Sequence, residues 1–204
     1  MKTFIYFISL LLAFPVLHAQ APNNLDQVSP FHNGLAAIKK GGAWGFINQE
    51  AQLVIPFRSD LVVDEEKGFP YFASERALIT TLEDDIELYG YINKTGKTVI
   101  NPQFLNATPF NEQGKAIALL LTKEILGTND LLDKNMVRYT YTEVIIDQDG
   151  KVLQYLTEPK HIIPNKDPLR KIPEIQARFI SGNLVVLKNA NNSWNIINAL
   201  SNSN

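Results

Sequence analysis

Tyr89-Gly90-Tyr91-Ile92-Asn93-Lys94-Thr95-Gly96-Lys97-Thr98-Val99-Ile100-Asn101-Pro102-Gln103-Phe104 decides the fold. Two apolar runs flank a polar turn. Asn93 can cap that turn with its own side chain, and Gly96 can supply the positive φ that a three- to five-residue hairpin loop requires. The same order occurs earlier: Trp44-Gly45-Phe46-Ile47-Asn48, then Leu53-Val54-Ile55-Pro56-Phe57, with Trp44-Gly45 lying 45 residues before Tyr89-Gly90. A third copy opens at Phe110 and Gly114, passes through the apolar run Lys115–Leu119 and reaches Val144-Ile145-Ile146-Asp147 with Gly150 in the turn. A fourth opens at Phe179 and Gly182, continues to Trp194-Asn195-Ile196-Ile197-Asn198, and is cut short before a last strand. Self-similarity at this period is the signature of a repeat architecture.

The pattern predicts an all-β protein of tandem antiparallel hairpin or meander units stacked side by side. The units fall at about 31–60, 69–104, 110–156 and 179–204, within a β domain of 20–204. A small closed propeller-like array is the alternative, since the period suits four-stranded blades. The Ile-Asn/Asp landmarks at 47–48, 92–93, 146–147 and 197–198 are unevenly spaced, which favours the open stack. Val137–Ile146 reads as a long strand with a half-exposed start and an end buried on both faces. Pro56 and Pro102 are expected to end their strands or to lie on an edge, because proline cannot donate to a ladder. Ala51 stands where the other turns have glycine, so that turn is expected to differ. Pro173–Arg178 could form one helical turn.

The aromatic-Gly-aromatic-Ile-Asn core, the Gly-Lys turn, the Val-Ile-Pro strand end and the later Phe-x-x-Gly-Leu-Ala together resemble the bacterial WG-repeat family. The resemblance is good over residues 31–60 and 89–119. It is weaker over 137–153, where the aromatic-Gly pair is missing, and partial over 179–198, where Asn195 replaces glycine. It implies tandem antiparallel β units in exported or surface proteins, and no catalytic residues. The repeat motif comprises Trp44, Gly45, Phe46, Tyr89, Gly90, Tyr91, Gly96, Gly150 and Trp194. The Trp44, Tyr89 and Trp194 rings should bury large areas in units too small to stand alone. The glycines should let a neighbouring backbone or ring come close.

Composition limits the chemistry. The 204 residues hold 19 Lys and Arg against 21 Asp and Glu, and no cysteine. That excludes a strongly basic nucleic-acid binder, a disulfide scaffold and a thiolate metal site. Lys2 followed by the apolar run Phe4–Phe14, the breaker Pro15 and the small residue Ala19 reads as a signal peptide over 1–19, with export to the periplasm or beyond. No second long apolar run follows, so no integral membrane segment is expected after cleavage. No nucleophile elbow, zinc-binding helix or phosphate-cradling loop is present, and no cofactor is expected. Asp64-Glu65-Glu66 and Glu83-Asp84-Asp85 read as solvated loops, or else as calcium ligands or a glycosidase carboxylate pair. Lys160 to Arg178 is a mildly basic stretch, read as a charged surface loop. The expectation is an exported, non-catalytic module that binds a protein or a cell-envelope polymer. The alternative is an exported hydrolase using loop carboxylates on glycans.

Overall fold

In a computed structural model, residues 21–129, 134–162, 172–189 and 191–199 are described. The signal-peptide reading of 1–19, and Lys166, Arg170 and Lys171 of the basic stretch, lie outside these. The strands are β1 (Gln27–His32), β2 (Leu35–Lys40), β3 (Ala43–Ile47), β4 (Leu53–Arg58), β5 (Ala77–Glu83), β6 (Ile86–Ile92) and β7 (Thr98–Ala107). They continue as β8 (Lys115–Asn129), β9 (Lys134–Asp147), β10 (Val152–Tyr155), β11 (Lys160–Ile162), β12 (Ala177–Phe179), β13 (Leu184–Lys188) and β14 (Trp194–Asn198). They form an open four-stranded sheet β1-β2-β3-β4, a seven-stranded sheet β10-β9-β8-β7-β6-β5 with β11 beside β9, and a three-stranded sheet β12-β13-β14. Among the described residues no sheet closes on itself, so the architecture is the open stack of antiparallel repeats. Among the described residues no helix is long and apolar enough to cross a membrane. Residues 172–176 are irregular and Ala177–Phe179 is a strand, so the helical turn expected at Pro173–Arg178 does not form. One turn of helix buries little, and pairing with β13 offers a better use for those amides.

One turn design recurs. At Asn48, Asn93, Asn111 and Asp147 the side-chain Oδ1 accepts the amides two and four residues on. The main-chain amide and carbonyl of the same residue close the loop. The fourth residue takes positive φ: Ala51 57°, Gly96 81°, Gly114 68° and Gly150 80°. The turn at Ala51 therefore does not differ, contrary to expectation. Its side-chain cap and its flanking strands hold alanine in a left-handed conformation that costs on the order of 1 kcal/mol. Two-residue hairpin turns with positive φ at both positions lie at Asn33-Gly34, Gly41-Gly42, Ser74-Glu75 and Asp84-Asp85, the twist-matched choice for antiparallel strands.

The glycine beside each aromatic has a steric cause. A Cβ on Gly45 would lie 2.8 Å from the Ile55 carbonyl oxygen, and one on Gly90 would lie 2.5 Å from the Ile100 carbonyl oxygen and 2.6 Å from the Pro102 nitrogen. Opposite each glycine the partner strand bulges. Trp44 pairs Arg58 while Phe46 pairs Ile55; Tyr89 pairs Phe104 while Tyr91 pairs Ile100. The extra residues include Pro56 and Pro102. Pro56 lies on the edge strand β4. Pro102 corrects the expectation: it sits inside β7, a central strand, because the bulge removes the ladder bond that proline cannot make.

The cores lie between successive units. The first joins Leu35, Trp44, Phe46 and Ile55 of unit one to Leu61, Phe72, Ile79 and Ile92 of unit two. The second joins Tyr91, Ile100 and Phe104 to Phe110, Ala116, Val144 and Ile146. The third joins Ile117, Ile145 and Leu156 to Ala177 and Val185. The contacts repeat in detail. Phe46 meets Phe72 edge-on at 4.9 Å between ring centres, and Tyr91 meets Phe110 at 4.7 Å. The Gly96 turn sits on Ile55, and the Gly150 turn sits on Ile100. Asn33, Ser74 and Asn111 each donate a side-chain hydrogen bond to a main-chain carbonyl of the next unit, at Phe72, Asn111 and Gly182. Such nearest-neighbour stacking is the physics of a solenoid-like array.

Candidate functional site

Most of the motif residues are spent on packing. Trp44 and Phe46 are buried on β3, and Tyr91 is fully buried on β6 with its hydroxyl donating to the Thr108 carbonyl at 2.8 Å. Burial pushes the Tyr91 hydroxyl well above the usual phenol range. Gly45 and Gly90 face the bulges, and Gly96 and Gly150 make the inter-unit turns. Trp194 corrects the expectation of a buried ring. It is 49% exposed on β14, which among the described residues pairs only with β13, and the Arg178 guanidinium lies 5.5 Å from the ring centre.

Tyr89 differs from its counterpart Trp44. Its ring is half-buried and lines a cleft of about 230 Å³ with Asp64, Glu65, Tyr71, Arg76 and Asn106. The segment before β5 supplies Asp64 and Glu65. An Asx turn fixes it: the Asp64 carboxylate accepts the Glu66 and Lys67 amides at 3.1 and 2.8 Å, and Gly68 returns to the Asp64 carbonyl. Arg76 is held at the cleft wall by donating to the Gln148 and Glu75 carbonyls at 3.1 and 3.2 Å. Asn106 is tethered to the Pro173 carbonyl. Lys67 lies 4.5 Å from the centre of the Tyr71 ring.

The local field is acidic. Burial first, and then the charges of Asp64 and Glu66, raise the Tyr71 hydroxyl above its ordinary range. Burial first, and then Glu87 and Glu65, do the same to Tyr89. Both phenols are therefore neutral hydrogen-bond donors at neutral pH. The second acidic run contributes nothing to the cleft. Asp84 and Asp85 form the exposed β5–β6 turn, and Asp84 pairs with Lys123 at 3.4 Å. Among the described residues no group of three His, Asp or Glu side chains could hold a metal ion.

Sequence reasoning missed Tyr71, Arg76 and Asn106. Their approach depends on how unit two folds over unit three, which has no local signature. It also missed Glu143, which occupies the Trp44/Tyr89 position in unit three. Glu143 is buried and accepts the Ala177 amide at 2.6 Å across the junction to unit four. Burial raises its carboxyl above the usual range. The Ala177 and Gln176 amides, and the charge of Lys160, oppose that rise.

The family model of the WG containing repeat matches residues 23–42, 44–73 and 89–120. No curated protein and no solved structure matches the chain. The matched segments hold both aromatic-glycine strands and their bulged partners, together with the Phe72 and Phe110 rings that join the units. Three segments between residues 23 and 120 therefore carry the WG containing repeat.

Proposed function

We propose that the protein is an exported, non-catalytic repeat module that binds a protein or an envelope polymer through the cleft around Tyr71 and Tyr89. The carrying observation is the contrast between Trp44 and Tyr89. At equivalent positions Trp44 is buried in an inter-unit core, whereas Tyr89 is half-exposed beside fixed polar groups. A pocket that combines apolar surface with a few positioned polar groups is the usual form of a binding site. The carboxylates of the two acidic runs do not share this cleft, so a paired-carboxylate hydrolysis has no geometric support from them. Export rests on the charged and apolar pattern of residues 1–19.

The test is fractionation of the full-length chain in a bacterial host, followed by crosslinking from a photoreactive residue at position 89. Recovery outside the cytoplasm with one stoichiometric crosslinked partner is the expected result. A cytoplasmic chain would overturn export. A purified chain that hydrolyses glycans without any crosslinked partner would overturn the non-catalytic reading.

A further inference from the structure

We propose that the cleft takes a lysine or arginine side chain from an extended peptide segment of the partner, seated over the Tyr89 ring. This rests on the reading of the cleft as a binding site and names the chemistry it accepts.

Size comes first. At about 230 Å³ the cleft is smaller than the roughly 300–1,000 Å³ typical of small-molecule and cofactor sites. It suits one or two side chains. Charge comes second. Asp64, Glu65, Glu66 and Glu87 act on the two tyrosines, against Lys67 and Arg76 nearby. Glu65 makes no ion pair among the described residues. A cation would gain from these charges and would answer Glu65 directly.

Ring chemistry comes third. The Tyr71 ring already carries an ammonium of the chain itself, Lys67, at 4.5 Å. Cations within about 6 Å of a tyrosine face are attracted by the ring quadrupole. Tyr89 offers a second face in the same acidic field, and no cation of the described residues covers it. Arg76 gives the peptide's backbone a place. Its Nε and Nη1 are engaged by carbonyls of this chain, and Nη2, with no partner among the described residues, can donate to a carbonyl of the segment. A neutral glycan would use the rings and Asn106 but would leave Glu65 without a counter-charge.

The test is calorimetric titration of the intact chain with three probes: a ten-residue glycine peptide carrying three lysines, the same peptide with its lysines acetylated, and a neutral chitin oligosaccharide. The expected result is binding of the lysine peptide alone, weakened at least tenfold by Glu65→Lys and by raising the salt from 50 to 500 mM. Glu50→Lys, on the exposed turn of unit one, should leave it unchanged. Glu65 is a surface residue, so its variants keep the fold. Equal weakening by Glu65→Lys and Glu50→Lys would reduce the effect to overall charge and overturn the proposal. Binding of the oligosaccharide or of the acetylated peptide at this cleft would overturn the cationic assignment but keep the cleft as a binding site. Binding of none of the probes would overturn this inference, and crosslinking from position 89 would then decide the broader reading by itself.

Discussion

Units two and three share one seven-stranded sheet, yet they solve the same junction differently. Unit two carries Tyr89, Gly90 and Ile100; the equivalent places in unit three are Glu143, Val144 and Gln154. In unit two the glycine faces a bulge with Pro102. In unit three Val144 pairs Tyr155 with no irregularity between Gln154 and Tyr155, and that strand has no proline. The glycine and the proline are thus two halves of one device: the bulge needs the missing Cβ, and the missing ladder bond accommodates the proline. Where one is absent, so is the other. Unit three also lacks the aromatic, and a buried carboxylate bonded to Ala177 joins it to unit four instead.

Gly90→Val would transplant unit three's residue onto unit two's bulge. The new side chain meets backbone, which cannot swing aside, so we expect a loss of about 3 kcal/mol or more in denaturant unfolding. A loss below about 1 kcal/mol would mean that the bulge does not depend on the glycine. Next in size is Glu143→Ala, which leaves the buried Ala177 amide unpaired and should cost about 1–3 kcal/mol. Glu143→Gln keeps an acceptor and sharpens the comparison through pH. The folded carboxyl sits above its unfolded value, so its stabilising contribution is fully present below the unfolded value. That contribution is lost as pH rises through the folded one. The wild-type chain should therefore gain stability relative to Glu143→Gln as the pH falls through the carboxylate range, measured by urea unfolding across that range. A flat difference would contradict the burial argument.

Gln154 occupies the place of Ile55 and Ile100, and among the described residues its side-chain oxygen is buried without a hydrogen-bond partner. Gln154→Ile should stabilise by about 1–2 kcal/mol, since an unmet acceptor gives way to apolar burial. The smallest effect is Ala51→Gly, which relieves the left-handed alanine but frees the unfolded chain; a net gain of about 0.5–1 kcal/mol in thermal unfolding is expected.

Local chemistry explains what could be read beforehand. The hairpin at Ile92–Val99, the Asx turns at Asn93 and Asp147, and the exposed-to-buried gradient along β9 each depend on residues within a few positions, and each was legible. The turn at Asn111 was hidden because Gly114, four residues after Phe110, stands close to the place that Gly34 and Gly182 hold at the opening of their units. Strand β5 was hidden because Ser74-Glu75, a poor turn pair by propensity, stands where unit one has Asn33-Gly34. Pro102 was misread because proline's exclusion from central strands lapses at a bulge, and the bulge is set by Gly90 on the neighbouring strand. The cleft was not legible at all. Tyr71, Tyr89 and Arg76 come together only when the segment before β5 folds back beside β5 and β6, and nothing in their sequence spacing distinguishes them from core or surface residues.

The account stands on cores that lie between units rather than within them. The most direct measurement is the unfolding of two fragments by circular dichroism: residues 21–60, which hold unit one, and residues 21–108, which add unit two and the shared Trp44, Phe46 and Phe72 core. The account predicts no cooperative transition for the shorter fragment and a cooperative one for the longer. A shorter fragment that melts cooperatively at the midpoint of the full chain would contradict it.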